Sequence, residues 1–425
     1  MMDAKQKRII ERDVSTLFSK RALPVRPTVE EWTENPTIRT EQGDRPLSNV
    51  ALVALRRVTS VIADIPEIRS SCSPKEVAEE VFERYSARIG STLQPTGQEF
   101  TDDVVGALRA KVKVHQLLIA IEGIDLVDQE AIDLGSMKIS KADPKLLEEV
   151  EWGGILSFDW VFELFKDKLW LTGASKGSPA VAVRTFEHRA ALTVGLLAVC
   201  GALLYKGAIW RSHVRLASSP STKASWSILC WEQGGANPHL INSGEGKQDL
   251  PLSAESVAYL RRVCFLDRIV ALIDEDERTE VQDAIVRALY WFGDAHGDRN
   301  PVMRFIKLWT CVECFFAIEE AEITEANARG IATLLTFTGY GIVEPKDYFK
   351  FKRRLKALYG LRSKAIHRAE FDLVENADLE EFSHWVAWMI VSMVALTERG
   401  YRTLADVKKQ VLRLDAISAK SGTTE

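Results

Sequence analysis

The chain has 425 residues, 46% of them hydrophobic and 27% charged. At roughly 150 residues per domain this suffices for two or three domains, with a core large enough to need no metal or disulfide staple. A balance of 55 Lys and Arg against 60 Asp and Glu gives a net charge of −5, which excludes a generally basic nucleic-acid coat but not a local basic patch. With 14 Pro and 25 Gly, collagen-like and low-complexity chains are also excluded.

Met1–Ser19 is charged and carries no apolar run, so no secretory leader is expected. Within it, Lys5–Lys20 begins an amphipathic stretch. Pro24, Pro27 and Pro36 then break the pattern, and Pro24–Pro46 reads as an irregular linker. Leu47–Ile65 has apolar residues at helical spacing. Ser73-Pro74-Lys75-Glu76 has the polar cap and first-turn proline of a helix start, continuing to Gly90. Thr101-Asp102-Asp103 is read as the cap of a helix reaching about Ile121, and Phe158–Trp170 as a shorter aromatic helix.

The middle of the chain differs. Ala190–Tyr205 is apolar or small except for Thr193, but its 16 residues fall short of the roughly 20 that span a bilayer. A buried central helix in a soluble, cytoplasmic protein with no membrane contact is expected. Ile209–Leu216, Ser225–Trp231 and His239–Asn242 are short, β-branched or aromatic runs, with turns at Ser218–Thr222 and Gly234–Pro238. Helices return at about Val257–Ile273, Thr279–Phe292, Asn300–Ala321, Ala326–Phe337, Lys346–Leu361, Leu373–Arg399 and Thr403–Leu414. The reading is a mainly α protein. It has a helical N-terminal region (1–175), a long helix with a small β element (176–252), a C-terminal helical bundle (253–415) and a frayed tail (416–425).

Much familiar chemistry is missing. Gly246-Lys247 lacks the first glycine of a phosphate-binding loop, with Ile241 in its place, and no Gly-x-Ser-x-Gly elbow or His-Glu-x-x-His occurs. Cys311 and Cys314 form the only C-x-x-C, in an apolar helical run without a second ligand pair, and are read as buried structural thiols. His296, in Gly293–Asp298, is placed in a loop beside Asp294 and Asp298. No metal or other cofactor is expected.

One window stands out. Lys352, Arg353, Arg354, Lys356, Arg362, Lys364 and Arg368 fall within 17 residues that contain no Asp or Glu. Acidic residues resume at Glu370, Asp372, Glu375 and Asp378, where they favour the start of the next helix. Inside the window, Arg362 and His367 are separated by four residues. An imidazole titrates near neutral pH and serves to move a proton at a ribose 2′-hydroxyl or a leaving oxygen. A guanidinium binds a phosphate through two donors and stabilises charge developing on it. DNA lacks the 2′-hydroxyl, so such a pair selects RNA. On one unbroken helix the two residues lie about 140° apart. Either the helix breaks near Gly360, or two copies of the motif meet across a symmetric interface.

Leu361-Arg362-Ser363-Lys364-Ala365-Ile366-His367-Arg368 resembles the R-x(4–6)-H signature of HEPN domains. Arg304-Phe305-Ile306-Lys307-Leu308-Trp309 with Glu313 and Phe315-Phe316, and Ala288-Leu289-Tyr290-Trp291-Phe292 before it, are similar to the helices upstream of that motif in the Apea-like branch. The resemblance covers about Ala254–Leu414. It implies a helical bundle that dimerises along the motif helices. It also implies metal-independent endoribonuclease activity at Arg362 and His367, in toxin or antiviral defence. The family often carries Asn, Asp or His after the arginine; here that position is Ser363. Ser363, Lys364, Arg368, Tyr359 and Glu313 are the expected supporting or RNA-contacting residues. RNA is the expected ligand, a second copy the expected partner, and a regulatory protein a further one. A non-catalytic HEPN module binding RNA or protein is the alternative, as is an effector restrained by the N-terminal region.

Overall fold

The computed structural model describes residues 2–40, 43–89, 94–148, 150, 152, 157–205, 214–217, 227–230, 239–242, 249–298, 300–317, 322–368 and 374–421. It is 67% helical, with 17 α-helices among the described residues and a small sheet region in the middle, so the chain is mainly α. The chain forms two compact units, one of Met1–Leu117 with Ala174–Glu187, the other of Leu118–Gly173 with His188–Glu425. The turns expected at Ser218–Thr222 and Gly234–Pro238, and residues 209–213 of the first expected strand, lie outside the described residues.

In the first unit the elements are α1 (Ala4–Leu17), α2 (Val29–Glu34), β1 (Thr37–Thr40), β2 (Gly43–Pro46), α3 (Asn49–Ala63), α4 (Pro66–Ser71), α5 (Pro74–Arg88) and α6 (Gly97–Lys111). Helices α1, α3, α5 and α6 bury Val14, Val58, Val81, Tyr85 and Phe100 in one core. The expected linker instead holds a capped helix and a hairpin. Thr28 and Glu31 form a capping box on α2, and Ile38 pairs with Arg45 across β1 and β2. Prolines at 27, 36 and 46 mark the ends of these elements and do not interrupt them. Helix α5 starts at Ser73 as read, with a reciprocal bond between Ser73 and Glu76. Helix α6 does not start at Thr101: Thr96 and Glu99 cap it, while the Thr101 hydroxyl bonds back to the Gly97 carbonyl.

The second unit and the segments joining it to the first contain β3 (Lys113–Glu122), β4 (Ile124–Leu126), β5 (Ala131–Leu134), β6 (Met137–Ser140), α7 (Pro144–Glu148), α8 (Phe158–Phe165), β7 (Leu169–Gly177), α9 (Pro179–Leu204), β8 (Arg215–Leu216), β9 (Ser227–Cys230), β10 (His239–Asn242) and β11 (Leu250–Leu252). One five-stranded sheet has the order β5-β6-β7-β3-β8, and two further pairs are antiparallel β9–β10 and parallel β4–β11. The N-terminal 175 residues are therefore not helical throughout. The helix expected to reach Ile121 stops at Lys111, and the one expected to reach Trp170 stops at Phe165. Short apolar runs read alike as strand and buried helix. Here the cross-strand partners decide, and they are distant in sequence. Trp170 is fully buried in β7, its indole N–H donating to the Phe165 carbonyl at 2.9 Å.

The remaining helices are α10 (Ala254–Val263), α11 (Leu266–Asp274), α12 (Glu280–Gly297), α13 (Pro301–Phe316), α14 (Ile323–Phe337), α15 (Tyr348–Arg368), α16 (Asn376–Glu398) and α17 (Leu404–Ser421). Phe265, at φ +58°, splits the expected run Val257–Ile273 into α10 and α11. The tail expected to fray from 416 is helical to Ser421. By length and composition α9 alone among the described helices qualifies to cross a membrane, and 72% of its apolar window is buried in the fold. Its Gly195 lies against α12: a Cβ there would sit 2.1 Å from the Leu289 carbonyl oxygen, and one on Gly293 would sit 2.7 Å from the Gly195 Cα. The two backbones pack at a distance that only glycine allows at this point.

Replacing Gly195 by Ala is expected to cost about 1–3 kcal/mol, the usual range for overpacking, read as a lower urea midpoint with unchanged slope. In the first unit, Glu80 is 1% exposed and bonded to Lys111 and Arg84. Burial alone would raise its pKa, but the bonds from Lys111 and Arg84 outweigh burial and hold it below the usual value. A lowered folded-state pKa stabilises above the unfolded value, near 4.3, and that contribution fades as pH falls. The stability margin of wild type over Glu80→Gln is therefore expected to be full above about pH 4.3 and to shrink below it.

Candidate functional site

Helix α13 is apolar along most of its length. It buries Phe305, Leu308, Trp309, Val312 and Phe315, and it packs against α12, α14, α15 and α16. Glu313 is the carboxylate in this run, one turn after Trp309. Both side chains meet α15. The Tyr359 hydroxyl donates to Glu313 Oε1 at 2.9 Å, and Arg362 Nη2 reaches Oε2 at 3.0 Å and Oε1 at 2.9 Å. Tyr359 and Arg362 are three residues apart and share a helix face. The guanidinium lies over the Tyr359 ring, 5.3 Å from its centroid, within cation–π range. The other side of the clamp is aromatic: Trp309 meets Tyr359 edge-on at 4.9 Å and Phe382 of α16 at 4.4 Å.

The Arg362 and Glu313 side chains are 18% and 19% exposed, so both charges are partly desolvated and each is the other's main compensation. Arg362 Nε is buried without a hydrogen-bond partner. Burial, then the neighbouring Glu313 charge, pushes the Tyr359 hydroxyl up to about 12, so it remains a donor at neutral pH. Glu313 thus binds both Tyr359 and Arg362, and Tyr359 is buried in the protein.

Helix α15 runs unbroken from Tyr348 to Arg368, so no break at Gly360 brings Arg362 and His367 onto one face. His367 is exposed in the last turn and makes no side-chain hydrogen bond or ion pair among the described residues. Lys364 and Arg368 are exposed, and Ser363 is half-buried. The basic window is less bare than its sequence suggests. Lys352 is bound by Glu325 at 2.7 Å and Asp415 at 3.0 Å. Lys356 pairs with Glu325, and Arg354 with Asp378 in the first turn of α16. Lys352, Arg354, Lys356 and Arg362 thus each meet a carboxylate. Burial of Glu325 is outweighed by Lys352 and Lys356, which hold its pKa below the usual value. These acids come from α13, α14, α16 and α17. Spacing within the window carries no signal of them.

The other residues singled out in the sequence have partners within the fold. His296 lies inside α12, not in a loop; its Nε2 is 2.8 Å from the Ser383 hydroxyl, and its ring stacks on Phe292. Asp294 and Asp298 are both taken by the Lys307 ammonium, at 2.8 and 2.7 Å. The Cys311 thiol donates to the Ala288 and Lys307 carbonyls, and burial pushes Cys314 up to about 11. Both cysteines are free thiols. Among the described residues no group of three or more His, Cys, Asp or Glu is placed to hold a metal.

Glu313→Ala would strand the Arg362 guanidinium in a partly desolvated site. Loss of about 1.5–3 kcal/mol is expected, the worth of hydrogen bonds to charged groups. Glu313→Ala combined with Arg362→Met is expected to recover part of that loss in urea denaturation, because no charge is then left uncompensated. Compared with known proteins, the chain matches no protein-family model, no curated protein and no solved structure.

Proposed function

We propose that the protein is a metal-independent endoribonuclease of HEPN type whose site forms where two copies of α15 meet. The observation that carries this reading is the motif helix itself. It holds a braced Arg362 and an exposed, unengaged His367 at its C-terminal end. On a continuous helix they diverge by about 140°. A site using both therefore takes its arginine and its histidine from different chains, which a two-fold interface supplies in duplicate.

The step is an internal transesterification. One His367 imidazole accepts the proton of a ribose 2′-hydroxyl as that oxygen bonds to phosphorus. The bond from phosphorus to the 5′-oxygen breaks, and the same imidazole, now protonated, gives that proton to the leaving oxygen. Arg362 stabilises charge developing on the phosphoryl oxygens. The products are a 2′,3′-cyclic phosphate and a 5′-hydroxyl. The resemblance of the motif supports an intracellular toxin or antiviral defence role for such cleavage.

A second reading is favoured by one observation: Arg362 and three further cations of the window already have carboxylate partners. That arrangement suits a module that binds RNA weakly, or a protein partner, without cutting.

Full-length protein incubated with single-stranded RNA in EDTA decides between them. Wild type is expected to generate cyclic phosphate ends, and His367→Ala to lose at least about 100-fold in rate with its melting temperature unchanged. Cleavage that requires a divalent cation and survives His367→Ala would sink the nuclease proposal. Salt-dependent binding with no cleavage would establish the second reading.

A further inference from the structure

Ion pairing along α15 sorts the basic window into two groups. Taking 100° per residue, Lys364 lies about 60° from His367, Arg353 about 40° and Gly360 about 20°. Lys356, paired with Glu325, lies about 20° from His367 on its other side, and the five form one stripe on the solvent side. Arg353, Lys364 and His367 are exposed. Arg353 and Lys364 form no ion pair or side-chain hydrogen bond among the described residues, whereas Lys352, Arg354, Lys356 and Arg362 are each held by a carboxylate. The stripe is bare at its middle, because a Cβ on Gly360 would meet nothing within 4 Å. From Arg353 to His367 it runs about 21 Å along the helix.

We propose that Lys364 is the phosphate ligand supplied by the same chain as the working His367. Arg353 extends that contact along the strand, and Arg362 contributes only from the other copy. The inference deepens the nuclease reading and rests on it for the identity of the ligand, a single-stranded RNA backbone. Its physical basis is threefold. Lys364 stands three residues before His367, so the two side chains are neighbours on the helix surface. An exposed ammonium without a carboxylate partner has no ion pair to give up on meeting a phosphate. Arg362 would have to break two contacts to Glu313 to reach the same side.

The test separates binding from cleavage. Binding is measured on the full chain with a fluorescein-labelled 2′-O-methyl oligouridine, which is not cleavable, over a salt series. Each phosphate contact on a single strand contributes about 0.7 to the slope of log K against log salt. Lys364→Gln is expected to flatten that slope by about 0.7 per site, and Lys364→Arg to restore it. Cleavage is measured with unmodified oligouridine in EDTA, where Lys364→Gln is expected to lose at least tenfold in kcat/KM with Lys364→Arg close to wild type. A wild-type slope for Lys364→Gln, in a protein that still cleaves through His367, would overturn the assignment and leave the nuclease reading intact. A flattened slope with no cleavage by wild type would do the reverse: it retains Lys364 as a phosphate ligand and removes the catalytic step.

Discussion

A carboxylate on a mostly apolar helix face must find a cation or lose its charge, and the packing of α15 on α13 answers that demand for Glu313. Arg362 and Tyr359 come to it from α15, and Trp309, one turn earlier, supplies the aromatic floor against which Tyr359 packs. The same few side chains therefore fix the rotation of α15 about its own axis. That rotation decides which residues of the motif face the interior and which face water. Arg362 points inward, and the stripe from Arg353 to His367 points outward.

Compensation of charge follows the same logic on a wider scale. The window from Lys352 to Arg368 contains no acid of its own, yet Glu325, Asp378 and Asp415 arrive from three other helices to meet it. Lys352 is nearly buried between two of them, and the Tyr348 hydroxyl donates to Asp415 at 2.6 Å. The N-terminal half of α15 is thereby fastened to α14 and α17 by ion pairs, and Lys364, toward its other end, has no carboxylate partner among the described residues. A run of like charge in sequence becomes an anchored end and a displayed end in space.

What the sequence made legible follows from how local each signal is. The start of α5 was readable because Ser73, Pro74 and Glu76 carry out the capping among themselves. Helices α12 to α17 were readable from apolar spacing over many turns. Strands β3 and β7 were not, because Lys113–Glu122 and Leu169–Gly177 become strands only through pairing with distant segments. The hairpin at Thr37–Pro46 was hidden by its prolines. At the candidate site, Arg362, His367 and Glu313 were visible as residue types in a pattern. Their division between an inward and an outward face depended on α15 being continuous, which Gly360 left open. The acids that quiet the basic window were invisible for the same reason as the strands.

The discontinuity of the first unit has a consequence for how the protein is made. Glu76, at the start of α5, accepts the Ser178 hydroxyl and the Ala180 N–H in addition to its own cap. Its bonding is complete only when a segment about a hundred residues later has been synthesised. Meanwhile β3 to β7 emerge from the ribosome between the two halves, and α9 then carries Gly195 onward to a helix that does not yet exist. The first unit therefore closes only once its second segment, Ala174–Glu187, has followed those strands.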